Sequence, residues 1–283
     1  MATIRELLLK AKARLKAAEV ENPSLDSELL LASVLGIDRT SLLANLNQEV
    51  SLPDQEKFLG LVERRSRHEP IAYILGYKEF YGRLFCVSRS VLIPRPETEM
   101  LVDLAKKLAP KGAVVADVGT GSGAIAVSIA IERPDVKVVA TDISHDALDV
   151  ARRNVQKHGV QDRVFLLQGN LLDPVHEMVD MVVANLPYIP ESEADSLQLD
   201  VILWEPRTAL FGGEDGLEYI RELLNQLPKH CSYGAYCLLE VDPRLVDKLK
   251  HEIKLRFPNA SIVVLQDLAG LPRVVSVSNF TSS

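Results

Sequence analysis

The sequence is poor in the residues that build disulfide frameworks and metal centres. Only three cysteines, Cys86, Cys231 and Cys237, occur in 283 residues. They are odd in number and lack paired metal spacing, which excludes both a disulfide scaffold and a zinc site and leaves ordinary buried thiols. The six histidines, His68, His145, His158, His176, His230 and His251, are scattered and form no ligand cluster, so no metal is expected. No uncharged apolar run approaches the roughly 18 residues that cross a bilayer, so no membrane association is expected. Met1 to Lys16 mixes Glu6, Lys10, Lys12 and Arg14 among leucines. That is not the pattern of a secretory leader, and the expected location is cytoplasmic.

A basic stripe is also missing. Residues 1–85 carry 12 Lys and Arg against 12 Asp and Glu, and residues 86–283 carry 20 against 27, which accounts for the net charge of −7. Binding to duplex DNA or structured RNA draws much of its affinity from phosphate neutralisation, so direct sequence-specific nucleic-acid binding is not expected. Hydrophobic content of 47% and charged content of 25% are those of a folded soluble chain, long enough for two cores.

The first 70 residues read as a small helical bundle. Thr3 and Glu6 form a capping-box pattern ahead of Ile4, Leu7, Leu8, Ala11 and Leu15 at helical spacing. Asn22-Pro23 interrupts that helix. A second helix runs from about Leu25 to Leu35 and stops at Gly36, a third lies near Arg39 to Leu46, and a fourth follows Pro53 with Phe58, Leu61 and Val62 inward. Tyr73 to Val87 is aromatic and β-prone, broken by Gly76 and Gly82, and reads as a hairpin. The chain therefore divides into a bundle over 1–70, a hairpin linker over 71–96 and a second domain over 97–283.

In that second domain helix and strand alternate. The predicted strands are 113–118, 136–142, 163–168, 179–184, 234–241, 261–266 and 273–278, with helices near 97–109, 122–132, 144–158, 215–227 and 243–256. Alternation of this kind implies an α/β fold with a doubly wound, seven-stranded Rossmann-like sheet. The last two strands lack an intervening helix, which implies a terminal antiparallel hairpin.

Two segments carry chemistry. The first strand runs through Asp117 into Gly119-Thr120-Gly121-Ser122-Gly123, glycines placed where backbone must approach a ligand at a helix N-terminus. The loop alone admits a dinucleotide oxidoreductase. Asp142, at the end of the second strand, is placed to accept hydrogen bonds from two ribose hydroxyls, or to serve as a turn acid before Ser144. Asp117 faces the methionine end of a cofactor or orients the loop, and a purely structural role is equally compatible with its position. Asn170 and Leu171, after the third strand, are candidates to meet an adenine amine and ring, the alternative being a plain loop.

The discriminating segment is Asn185-Leu186-Pro187-Tyr188, directly after the strand Val179–Ala184. The Asn185 side-chain oxygen and the Leu186 carbonyl both accept hydrogen bonds. Pro187 has no N–H to compete, and Tyr188 supplies a flat face. Such a site suits a planar –NH₂ group, and with the glycine loop it points to methyl transfer from S-adenosylmethionine to a planar nitrogen.

On these residues the chain resembles the HemK/PrmC family of peptide-chain release factor glutamine methyltransferases over nearly its whole length. The resemblance is carried by Glu69 to Gly76, Phe80, Val91 to Glu99, Glu205-Pro206, Ala209 to Leu217, Asp267 to Gly270 and Arg273 to Val275. It implies a protein glutamine methyltransferase that acts on the Gly-Gly-Gln glutamine of translation release factors, with the bundle docking the protein substrate, and a monomer is expected. Two positions depart from the family. Its tetrad is usually Asn-Pro-Pro-Tyr, and Leu186 makes this one similar to that of the ribosomal RNA adenine dimethylases. Asn170 stands where the family commonly has aspartate, which removes a charge-assisted bond to the adenine amine. The alternative reading is an adenine-amine methyltransferase acting on RNA or DNA; a small-molecule methyltransferase and a non-catalytic cofactor-binding adaptor are further rivals.

Overall fold

A computed structural model describes residues 2–280. The chain forms two compact units: residues up to Tyr77 together with Gln198–Trp204, and Lys78–Leu197 together with the chain from Glu205 onward.

The first unit is helical. The capping box at Thr3 is present in both directions, Thr3 N–H to Glu6 Oε2 at 2.8 Å and Glu6 N–H to Thr3 Oγ1 at 3.3 Å, and it starts α1 (Ile4–Ala17), which buries Ile4, Leu7, Ala11 and Leu15. Helix α2 (Pro23–Leu35) ends at left-handed Gly36, Asp38 caps α3 (Arg39–Ala44), and Ser51 caps α4 (Leu52–Ser66). A short α5 (Ile71–Leu75) ends at Gly76, whose φ of 80° suits glycine. The sequence reads Tyr73–Leu75 as β-prone, but these residues close this helix, because Pro70 starts a turn that Gly76 terminates. Phe58, Val62, Leu30, Leu31 and Leu42 fill the core.

The segment Gln198–Trp204 joins this unit from far along the chain. It contains the single-turn α9 (Leu199–Ile202). The buried Arg65 guanidinium lies between Asp26 Oδ2 at 2.6 Å and Asp200 Oδ2 at 2.7 Å. His68 Nδ1 is 3.1 Å from Asp200 Oδ1, and Trp204 Nε1–H donates to the Arg67 carbonyl at 3.2 Å. A buried arginine flanked by two carboxylates stays charged, and loss of either carboxylate would strand part of that charge.

The second unit, which starts at Lys78, opens within a hairpin formed by β1 (Tyr77–Phe80) and β2 (Arg83–Cys86). Tyr81 and Gly82 at its tip both have positive φ, which matches the right-handed twist of paired strands. Phe80 and Phe85 pack into the same core as α6 (Glu99–Leu108) and α7 (Ala124–Glu132).

The main sheet contains β3 (Val114–Val118), β4 (Lys137–Asp142), β5 (Val164–Gln168), β6 (Val179–Ala184), β7 (Cys231–Glu240), β8 (Ser261–Gln266) and β9 (Pro272–Ser278). Its order is β5-β4-β3-β6-β7-β9-β8, with α8 (His145–Lys157), α10 (Glu218–His230) and α11 (Val246–Arg256) among the crossovers. The first five strands are parallel, while β9 is antiparallel to both β7 and β8. All seven predicted strands are present, and the terminal pair forms the predicted antiparallel hairpin, with β9 lying between β7 and β8. From β3 the chain moves outward through β4 and β5, then returns to place β6 on the other side of β3. That reversal makes the β3/β6 boundary the topological switch point, where ligands bind beyond the strand ends. Val118 is in register with both Thr141 and Ala184, so the residues after all three strands emerge side by side.

Candidate active site

A cavity of about 230 Å³ opens at this switch point, wholly within the second unit. It is far larger than the roughly 30 Å³ share of one water. Gly119, Thr120, Gly121, Ser122, Asp142, Asn170, Leu171, Asn185, Leu186 and Pro187 line it; Asp117, Gly123 and Tyr188 do not.

At one end the glycine loop is fixed by its own neighbours. Gly119 and Thr120 N–H both donate to the Thr141 carbonyl at 2.9 Å, and Gly121 N–H donates to Asp142 Oδ2 at 2.9 Å. Asp142 Oδ1 accepts from Ser144 N–H at 2.9 Å, so Asp142 does serve as the turn acid. Each carboxylate oxygen has a second lone pair, which leaves room for two further donors. Asp117 is fully buried beneath the loop: its Oδ2 accepts from Thr120 Oγ1–H at 2.6 Å and Ala126 N–H at 3.0 Å, and its Oδ1 has no partner among the described residues. Burial, reinforced by the charge of Asp142, pushes its pKa up to about 7. Gly123 packs the loop onto α8, since a Cβ there would sit 3.2 Å from Ala151 Cβ.

The third turn supplies an amide and an apolar wall. Asn170 Nδ2–H donates to Glu222 Oε1 at 2.5 Å, which reserves the Asn170 oxygen as an acceptor. Leu171 takes a φ of 49°, rare for a branched side chain, and is buried against the cavity. Leu172 N–H is held by Gln226 Oε1 at 2.7 Å. Ile143, 66% exposed, also lines the cavity.

The other end is built around Asn185. Its Nδ2–H donates to Thr98 Oγ1 at 3.1 Å, which leaves Oδ1 as the outward acceptor. The Leu186 carbonyl accepts no hydrogen bond from the described chain, and a Cβ on Gly119 would lie 3.0 Å from Leu186 Cδ2, so the two motifs touch. Behind them Glu240 is 3% exposed. Burial and then the charge of Glu97 push its pKa up to about 7, against the Thr98 hydroxyl, the Asn185 amide and Arg273. Tyr188 is half-buried, and burial and the Glu240 charge raise its phenol pKa.

Several contributors were not among the predicted site residues. Glu205, 5% exposed, receives Arg95 Nη2–H at 2.5 Å and Ile93 N–H at 3.2 Å, which joins two cavity walls. Buried Asn154 donates to the Ser122 and Cys86 carbonyls at 2.8 and 2.9 Å and accepts from Cys86 N–H at 2.7 Å, tying the hairpin to the glycine loop. Thr98 and Arg95 lie inside the Val91–Glu99 block that marks the family resemblance. For Glu240 the available signal was a carboxylate closing an apolar strand.

The arrangement offers a fixed loop backbone, a carboxylate and apolar walls at one end and bare amide-type acceptors at the other. No group of three His, Cys, Asp or Glu side chains is placed to hold a metal among the described residues, and no helix among them is long and apolar enough to cross a membrane.

Residues 6–76 match the PrmC N-terminal domain and residues 96–213 the methyltransferase small domain. The chain is 40% identical over 277 residues to the release factor glutamine methyltransferase of Koribacter versatilis, covering 96% of this chain and 97% of that protein. It is 40% identical over 240 residues to the same-named protein of Geobacter sulfurreducens, covering 84% of each. Among solved structures, a methyltransferase from Pyrococcus furiosus superposes with a TM-score of 0.54 at 21% identity, covering 76% of this chain and 97% of that one. The hMettl16 catalytic domain superposes with a TM-score of 0.54 at 17% identity, covering 82% of this chain and 85% of that one. These two share the fold.

Proposed function

The chain belongs to the release factor glutamine methyltransferase family, and from that premise we propose that it methylates the side-chain nitrogen of the Gly-Gly-Gln glutamine of translation release factors, using S-adenosylmethionine. The observation that carries the reading is the acceptor pair at the switch point: an Asn185 amide whose nitrogen is occupied by Thr98, and a Leu186 carbonyl with no internal partner.

The cavity fits S-adenosylmethionine by the chemistry of its lining. Asp142 has lone pairs left for ribose hydroxyls, Asn170 Oδ1 suits the adenine amine, Leu171 and Ile143 suit the ring, and the 119–122 backbone suits the charged amino-acid end. Bound there, the cofactor supplies an electrophilic methyl on a positively charged sulfur. Asp117 supports the loop from below.

A glutamine amide nitrogen is a weak nucleophile because its lone pair is delocalised into the carbonyl. Asn185 Oδ1 and the Leu186 carbonyl accept its two hydrogens and hold the nitrogen in one pose. Positioning of this kind is the main lever available, together with stabilising the positive character that the nitrogen gains. The nitrogen would form one N–C bond as the bond between that methyl and sulfur breaks, its electron pair staying on sulfur as a neutral thioether, and would release one proton to solvent. No side-chain base is required beforehand, since the N–H becomes acidic only as the bond forms. Only the backbone of residue 186 takes part, so leucine in place of proline is compatible with the amide reading.

The test is transfer of labelled methyl to an intact release factor, followed by digestion to locate the label. Label on the Gly-Gly-Gln glutamine, lost when that glutamine is replaced by alanine, is the expected result. A folded, cofactor-binding protein that leaves release factor unlabelled would overturn the proposal.

A further inference from the structure

The Asn185–Tyr188 turn is held in shape by a loop more than twenty residues downstream, Phe211-Gly212-Gly213-Glu214-Asp215-Gly216-Leu217. Ile189 N–H donates to the Leu210 carbonyl at 3.0 Å and Gly212 N–H donates to the Ile189 carbonyl at 2.9 Å, a parallel bridge outside the main sheet. Glu191 N–H adds a bond to the Gly213 carbonyl at 3.2 Å. The loop is itself anchored. Asp215 Oδ1 accepts from Leu217 N–H at 3.1 Å and from Arg221 at 2.9 Å, and its other oxygen pairs with Lys248 at 2.6 Å.

Two of its glycines meet two consecutive carbonyls of the turn. A Cβ on Gly212 would collide with the Pro187 carbonyl oxygen and stand 2.8 Å from the Gly216 carbonyl oxygen. A Cβ on Gly216, where φ is 78°, would collide with the Tyr188 carbonyl oxygen and stand 2.9 Å from Leu245 Cδ1. The obstructing oxygens are backbone, so they cannot swing aside as a flexible side chain would. Neither glycine lines the cavity. The Pro187 and Tyr188 carbonyl oxygens face these two glycines.

We infer that the Gly212–Gly216 loop is a positioning element for methyl transfer: by packing bare backbone against the Pro187 and Tyr188 carbonyls, it fixes the turn that presents Asn185 and the Leu186 carbonyl to the acceptor amide. The inference rests on the acceptor reading of that turn. Its sequence counterpart is the Ala209–Leu217 stretch, which no step of the chemistry otherwise uses.

The experiment compares Gly212→Ala and Gly216→Ala with Gly234→Ala, where φ is 80° and a Cβ meets nothing within 4 Å. Gly234→Ala thus carries backbone strain without collision. Displacement of a reacting geometry by about 1 Å can cost on the order of a hundredfold, and a loss of that size in kcat is expected for Gly212→Ala and Gly216→Ala. S-adenosylmethionine affinity by calorimetry should stay within about threefold, while Gly234→Ala lowers Tm and keeps kcat within about twofold. Full turnover in both loop variants, or affinity falling in step with turnover, would overturn the inference. Amide exchange on the parent protein decides the matter even where a variant does not fold. Ile189 N–H should be protected about as well as β6, and fast exchange there would show that the loop templates nothing. A parent protein that binds the cofactor but leaves release factor unmethylated would instead refute the acceptor reading, a result the exchange data do not depend on.

Discussion

The two ends of the cavity are made in different ways. The cofactor end comes from the turns that follow three successive strands, β3, β4 and β5, and the bonds of its glycine loop run to the neighbouring strand end: Gly119 and Thr120 to Thr141, Gly121 to Asp142. The acceptor end gathers residues 93–98, 185–188, 205–216 and 240, and each is held by one of the others. A locally built end is generic, and many chemistries share it. An end assembled from remote pieces carries the specificity, and a change in any piece should be felt there while the cofactor end is spared.

The sharpest way to separate the ends is Asn185→Ala. Loss of one preorganised partner of the developing charge should cost roughly 2–4 kcal/mol in the transition state, about 30- to 1,000-fold in kcat, with S-adenosylmethionine affinity little changed. Titration calorimetry beside single-turnover rates checks this, and equal losses in both would move Asn185 to the cofactor end. The converse change, Asp142→Ala, should weaken S-adenosylmethionine binding by about 1–3 kcal/mol, the scale of hydrogen bonds to a charged group. Circular dichroism should show the fold intact. Unchanged affinity would withdraw the ribose role and leave Asp142 as the turn acid it demonstrably is.

A smaller effect probes coupling inside the cofactor end. Asn170→Asp restores the residue common in the family but sets a carboxylate against Glu222, 2.5 Å from the present amide nitrogen. Like charges at that range should weaken cofactor binding by about tenfold, and the Glu222→Gln change added to it should recover most of the loss. Independent, additive effects in a double-mutant cycle would break the proposed pairing.

The smallest effect concerns pH. Asp117 and Glu240 both have native pKa values raised to about 7 from 3.8 and 4.5 by burial. An acid whose pKa is raised on folding favours the native state while protonated. That contribution is complete below the ordinary carboxylate range, shrinks as pH climbs toward 7, and is gone above it. Asp135 and Asp215, whose carboxylates arginines hold far below the usual range, act in the opposite sense only in acid. The cofactor-free protein should therefore lose a few degrees of Tm between about pH 5 and pH 8, by less in Glu240→Gln. A Tm that rises across that interval in the parent protein would contradict the ionisation state assigned to both groups.

The same contrast explains what the sequence made legible. Strand periodicity and turn glycines are local, so all seven strands, the glycine loop, Asp142 and the Asn185–Tyr188 turn could be found by spacing alone. Asp117 was visible with a structural role among its readings, but spacing could not choose that role, because burial depends on the whole sheet. Tyr73 to Leu75 look β-prone, but the turn at Pro70, the stop at Gly76 and the packing of Ile74 and Leu75 on the bundle core make them helical. Glu205, Asn154 and Glu240 act across 32 to 112 residues of separation or from a distant strand, where no periodicity reaches. The Gln198–Trp204 segment, bound to the first unit through Arg65 and His68, was hidden for the same reason.

The central claim is that the acceptor end takes a glutamine amide and not an adenine amine, although Leu186 gives it a tetrad similar to that of adenine dimethylases. One competition measures this directly: intact release factor and adenine-containing ribosomal RNA at equal concentration, one limiting portion of labelled S-adenosylmethionine, and the label located by mass spectrometry. The account predicts label on the Gly-Gly-Gln glutamine with the RNA unlabelled. Label on adenine N6, with the glutamine unmodified, would contradict it.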